Sequence, residues 1–161
     1  MNLLEFAINM ELDGEKYYTE QARLNKDNGL SKVFLLLAED EKKHAHVLKN
    51  RISDISDVPN PGETLKLSKN IFSDLKNYKD DIKIHPSQLD GYKHALEKEF
   101  KSIELYKNLL SEADDDAEKL LIKFIIKEEE SHFTVLEDMI ELINNAEEWV
   151  ESAEFNIEKE Y

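Results

Sequence analysis

Glu41-Lys42-Lys43-His44 and Glu129-Glu130-Ser131-His132 spell one pattern, Glu-x-x-His, twice, 88 positions apart. Residues three apart are neighbours on a helix surface, so each copy offers a carboxylate and an imidazole to one point. The same offset carries further matches. Ahead of the motifs, Ala7 falls on Ala95, Glu11 on Glu99 and Tyr18 on Tyr106; behind them, Val47 falls on Val135 and Leu48 on Leu136. Gly14 and Ser102, both small, also correspond. One constant offset without a gap makes the chain a duplicated two-helix unit. The matched residues include the polar groups that interrupt its apolar faces.

Around the motifs, apolar residues recur at intervals of three and four, the signature of helices with one buried face. Leu4, Ala7, Ile8, Glu11, Gly14, Tyr18 and Ala22 define a first helix from Leu3 to about Lys26, stopped by Asn25 to Gly29. Ser31 is the expected N-cap of a second, Val33 to about Ile55. A third starts near Ser87 and runs to about Ser111, with Tyr92, Ala95, Glu99, Ser102, Tyr106 and Leu110 on one face. The fourth starts in Asp114-Asp115-Asp116, whose carboxylates suit the positive end of a helix, and runs to about Asn144. The chain has four Gly and three Pro, all three Pro between positions 59 and 86, so the breaks are few and the elements long. Two helix pairs with short turns are thus joined by one long connection, about 57–86, with a short helix expected around Leu67 to Tyr78. A helix of ~24 residues is ~36 Å long, a distance that such a connection easily spans. The expected fold is all-α: a four-helix bundle with a long crossover between helices 2 and 3, the ferritin-like topology. Residues 1–147 form the bundle. Residues 148–161 form a tail in which Trp149, Val150, Phe155, Ile157 and Tyr161 alternate with acids, expected to pack on the bundle or on a second subunit.

Composition narrows the function. A chain of 161 residues makes one domain. Its 21 basic and 36 acidic residues leave a formal charge of −15. Such a surface repels nucleic-acid phosphates and anionic membranes and attracts cations. Without Cys there is no disulfide, no cysteine nucleophile and no rubredoxin-type iron centre in this chain. Met1 to Glu15 lacks the basic start of a secretory signal, and no run approaches the ~20 apolar residues of a membrane span. A cytoplasmic location is expected.

Glu11, the Glu41/His44 pair, Glu99 and the Glu129/His132 pair all lie near the middles of their helices. Helix middles sit side by side in an antiparallel bundle, so the six groups can meet at one level of the core. Four carboxylates buried together without cations are heavily penalised by desolvation and mutual repulsion. Their charge of −4 balances two divalent ions. Carboxylate with imidazole suits iron or manganese. The six are therefore the expected ligands of a two-metal site, and this arrangement is described for ferritin-like proteins generally.

The stretches Met10-Glu11-x-x-Gly14-x-x-x-Tyr18, Ala38-x-x-Glu41-x-x-His44-Ala45, Glu99-x-x-Ser102-x-x-x-Tyr106 and Lys127-x-Glu129-x-x-His132 resemble the rubrerythrin branch of the ferritin-like superfamily, over about residues 3–144. The resemblance implies two iron ions, reaction with hydrogen peroxide or dioxygen, and a homodimer. It differs in two respects. Rubrerythrins carry a C-terminal rubredoxin domain with four iron-binding Cys; here electrons need an external donor, such as a separate rubredoxin. Peroxide-reducing members also carry an extra Glu one turn after the residue matching Glu99, where this chain has Ser102. That brings the site closer to a six-ligand ferroxidase or oxidase centre. Iron(II) oxidation for storage or detoxification is therefore the alternative activity, and a non-catalytic metal-binding protein the third.

Tyr18 and Tyr106 lie two turns after Glu11 and Glu99 on the same faces; they are expected in the core, with hydroxyls available to ligating carboxylates. Glu15 is expected beside the ligands rather than among them. His46, His85 and His94 have no His at the matching position and read as surface or loop residues. Asp114 to Asp116, Glu128 and Glu130 read as solvated charge. Gly14 and Ser102 are expected to let the first and third helices approach closely.

Overall fold

The computed structural model describes residues 2–50, 62–76 and 86–158. Its helices are α1 (Leu3–Leu24), α2 (Ser31–Asn50), α3 (Glu63–Lys76), α4 (Pro86–Glu112) and α5 (Asp116–Glu158), with no strand among the described residues. The crossover segments 51–61 and 77–85 lie outside them, as do the expected end of the second helix at Ile55 and His85.

Each boundary has a local cause. Asn2 caps α1 by accepting from the Glu5 amide at 2.8 Å. At the other end Asn25 is the C-cap; its side-chain amide donates to the Gln21 carbonyl at 2.7 Å, and its Oδ1 accepts from the Tyr92 hydroxyl at 2.8 Å. Asn28, rather than Ser31, organises the entry to α2, accepting from the Leu30 amide at 3.0 Å and seating Leu30 in the core. Ser31 is already helical. The crossover helix begins after Gly62, whose φ of 90° is a conformation that side-chain-bearing residues rarely adopt. Asp115 leads into α5 by accepting from the Ala117 amide at 3.3 Å.

The last helix departs most from the sequence reading. It runs unbroken for 43 residues, to Glu158, where the pattern suggested an end near Asn144. From Asp116 onward there is neither Gly nor Pro. Two Asn cost only a few tenths of a kcal/mol each in a helix, and Ala146-Glu147-Glu148 are good helix formers. As far as Glu158, the expected separate tail is therefore a continuation of α5.

Contacts fix the topology. Tyr106 reaches Glu11 and Tyr18 reaches Glu99, so α1 and α4 are antiparallel. Glu11 faces His44 and Gly14 faces Glu41, so α1 and α2 are antiparallel as well. Hence α2 and α4 run parallel, as a chain returned by a long crossover must. Helix α3 packs its Thr64, Ser68, Phe72 and Leu75 stripe inward and covers the α2–α5 side. The apolar core falls into two parts. One centres on Phe34, Leu37, Tyr92, Leu136 and Met139. The other centres on Ala7, Leu48, Tyr106, Ile122 and Ile125. Between them lies a buried polar layer.

Asn25 joins two of these features, ending α1 and satisfying the buried Tyr92 hydroxyl. Replacing it with Ala leaves that hydroxyl unpaired, which costs about 1–3 kcal/mol. Urea unfolding of Asn25→Ala should show that loss, and Tyr92→Phe in the same background should recover part of it.

Candidate metal centre

The polar layer is built by one turn from each of four helices. Helix α1 contributes Glu11, α2 Glu41 and His44, α4 Glu99, and α5 Glu129 and His132; none is more than 5% exposed. All six sequence-predicted residues converge. Glu11, Glu41, His44 and Glu129 form one quartet whose potential ligand atoms lie within 4.8 Å of one another, and Glu41, Glu99, Glu129 and His132 form a second. Glu41 and Glu129, the carboxylates of the two repeated motifs, belong to both.

Each imidazole turns Nδ1 to the carboxylates. His44 Nδ1 is 3.2 Å from Glu129 and 3.4 Å from Glu11. His132 Nδ1 is 3.2 Å from Glu41 and 3.5 Å from Glu99. The Tyr18 hydroxyl donates to Glu99 Oε1 at 2.5 Å, and Tyr106 donates to Glu11 Oε1. Both tyrosines are thus core residues and carboxylate partners at once. The second oxygens of these same acids, Glu11 Oε2 and Glu99 Oε2, are buried with no hydrogen-bond partner among the described residues. A buried carboxylate oxygen left unpaired is costly. Two such oxygens, with imidazole lone pairs and two shared carboxylates, make a donor set that fits a pair of hard or borderline cations.

Sequence reasoning passed over Asp40 and Glu128. Asp40 Oδ2 accepts from His132 Nε2 at 2.9 Å and from the Thr64 hydroxyl of α3 at 2.5 Å. This leaves His132 Nδ1 to face the cluster and fixes the ring, the usual task of a carboxylate behind a ligating histidine. Glu128, read as solvated, is 5% exposed and lies with Asp40 and His132 in a third acidic group. A signal existed: Asp40 and Glu128 are themselves 88 apart. Of the remaining histidines, His46 and His94 are exposed. Glu15 is half-buried and outside both quartets.

The charges sort themselves by environment. Burial and the neighbouring Glu11 push Glu41 and Glu129 well above the ordinary carboxylate range. Burial also acts to raise Glu11, but the His44 imidazole and the adjoining Glu41 and Glu129 carboxyls outweigh it and hold Glu11 at about 2. Glu99 is lowered against its burial by Glu129, His132 and Tyr18. Burial would lower His132, yet Asp40, Glu99 and Glu129 hold it well above its ordinary value. Without cations, the layer favours protons on Glu41, Glu129 and His132.

Gly14 does not draw α1 against α4. A Cβ at Gly14 would stand 2.8 Å from Glu41 Oε2, so this glycine makes room for a site carboxylate from α2. Between α1 and α4, Gly14 and Ser102 instead border a cavity of about 470 Å³ that reaches Glu41, Glu99 and Glu129.

The family model described as Rubrerythrin matches residues 2–156, and the chain belongs to that family. It is thereby a non-haem, ferritin-like protein of a family that binds iron. No curated protein and no solved structure matches the chain. No described helix is long and apolar enough to cross a membrane.

Two outcomes follow from this geometry. Gly14→Ala should leave folding stability within about 1 kcal/mol, because the gain from removing a helical glycine offsets the crowding. Metal retention should fall roughly tenfold or more as Glu41 is displaced; metal analysis after dialysis, with denaturant unfolding of the same samples, separates the two effects. The metal-free chain should melt at higher temperature as pH falls from about 7 toward 5. Glu41 and Glu129 are raised above the ordinary 4.5, so the folded state holds protons that the unfolded chain releases, and stability is lost as pH rises. His132, raised above 6.5, acts in the same direction. Below the ordinary carboxylate values the lowered Glu11, Glu99 and Asp40 reverse the trend. A melting temperature that rises from pH 5 to 7 would contradict this assignment.

Proposed function

We propose, on the basis of that membership, that the chain binds two iron ions in the polar layer and reduces hydrogen peroxide or dioxygen with electrons from an external donor. The observation that carries the reading is the pair of quartets sharing Glu41 and Glu129. Glu11 with His44 would hold one ion, Glu99 with His132 the other, and Glu41 and Glu129 would serve both. Manganese or a mixed pair would meet the same donors. A bound iron pair supplies one electron at each ion, matching the two that convert a peroxide and two protons into two waters.

The chain's own residues do the rest. Tyr18 and Tyr106 keep Glu99 and Glu11 in place by holding one oxygen of each. Asp40 keeps His132 oriented. Gly14 and Ser102 leave the layer approachable from the α1–α4 side. Without Cys, this chain supplies no thiolate-bound relay, so a separate rubredoxin is the kind of donor that would sustain turnover. The family resemblance also carries a homodimer, which size-exclusion chromatography would test. Ser102, standing where peroxide-reducing relatives have a further Glu, favours iron(II) oxidation as the second reading.

The reduced, iron-loaded chain, mixed anaerobically with hydrogen peroxide in a stopped-flow instrument, should be oxidised in a single turnover faster than free iron(II). Dioxygen in a parallel experiment gives the second rate. Repeated turnover should require an added donor. Glu129→Gln and His132→Gln should abolish the acceleration, whereas His46→Gln should leave it unchanged. Rates equal to those of free iron(II) for both oxidants would overturn the reading.

A further inference from the structure

The two sides of the polar layer differ. On the α2–α5 side, α3 closes over Asp40 through Thr64. On the α1–α4 side lies the cavity of about 470 Å³. Peroxide and dioxygen are molecules of two heavy atoms and need no such space. Cavities of roughly 300–1,000 Å³ are the size that enclose drug-sized organic ligands.

The lining is graded. Phe6, Met10, Tyr17, Ala95 and Leu105 make its walls apolar. Its inner end is open to Glu41, Glu99 and Glu129 only because Gly14 and Ser102 carry little or no side chain there. Its mouth carries two exposed lysines, Lys98 and Lys101, with Asp13 as the rim acid. Lys101 meets Glu97 at 3.4 Å. Lys98 lies with Nζ 5.7 Å from the centre of the Tyr17 ring and, among the described residues, has no carboxylate partner. Lys98 thus brings a positive charge without a carboxylate partner among the described residues to the mouth of an apolar cavity. Phe6, 53% exposed, extends the apolar surface outward from the same opening.

We propose that this cavity binds an organic ligand: an apolar molecule with one anionic end, its tail inside and its anion at Lys98. The cavity adjoins the site of the preceding section, but the binding does not rest on that reading. A cationic or neutral amphiphile lacks the complement to Lys98. A second copy of this chain, or any other protein surface, would fill the mouth while leaving the inner volume empty.

Titration calorimetry on the anaerobic, iron-loaded chain, without oxidant, tests this with laurate below its micelle concentration and dodecyltrimethylammonium as the cation of equal chain length. One laurate per chain should bind, with the ammonium compound binding at least about tenfold more weakly. Lys98→Glu, on an exposed position that does not threaten folding, should weaken laurate roughly tenfold. Leu105→Trp should block binding at unchanged iron content. Absence of laurate binding, equal binding of both amphiphiles, or indifference to both substitutions would overturn the proposal. A dimer that Phe6→Glu dissociates, with no laurate bound by either form, would also overturn it, in favour of a second copy as occupant. Peroxide oxidation is measured separately, so laurate binding without oxidation leaves this site standing and removes the proposed function, and the reverse result does the opposite.

Discussion

Four carboxylates share one buried layer of this bundle, and the rest of the structure is arranged around the difficulty of keeping them there. Glu11, Glu41, Glu99 and Glu129 are each at most 5% exposed. Ordinary surface acids in a helical protein gain nothing from such burial, since desolvation and mutual repulsion both oppose the charged form. The layer tolerates them because each is engaged from a different direction: Tyr106 and Tyr18 from opposite hairpins, His44 and His132 from the helices facing them. The apolar core is divided in two by this requirement, with one cluster on each side of the polar layer. Stability and chemistry therefore draw on the same atoms, and a change to one of these acids alters both.

Much of this was legible because a duplication leaves a periodic trace. The 88-residue offset picked out Glu41, His44, Glu129 and His132 among 36 acids and five histidines, and the helix period put Glu11 and Glu99 on the same inward faces. The long crossover followed from where the three prolines fall. Less legible were features set by tertiary packing. Glu128 looks like one of three consecutive surface acids, and only the closeness of α2 to α5 buries it. Asp40 gained its role from Thr64, a residue in the crossover that no periodicity ties to it. Gly14 read as a contact residue between α1 and α4 because small residues usually are; its neighbour is a carboxylate of α2 instead. The end of α5 was misplaced because two adjacent Asn weaken a helix without stopping it, and nothing after them does.

The duplicated unit has diverged where it meets the outside. Asp40 is hydrogen-bonded to His132 and to the crossover helix, while its counterpart Glu128 is buried with its own value raised by burial and by Asp40. Gly14 and Ser102 occupy matching positions and both border the cavity, but Gly14 also clears space for a Glu41 oxygen. The inner six residues keep the repeat, and the layer around them distinguishes a covered side from an open one.

The division of ligands between the hairpins bears on how the chain reaches its final form. Helix α1 with α2, and α4 with α5, are near neighbours in sequence, and local helical contacts of this kind form fast. Neither hairpin completes a quartet. The first holds Glu11, Glu41 and His44 but lacks Glu129; the second holds Glu99, Glu129 and His132 but lacks Glu41. Each therefore borrows one carboxylate from the other, and the repulsion among the four acids arises only when the hairpins dock. A cation in either quartet would act as a clasp across that seam, so that ion capture and the docking of the two hairpins favour one another.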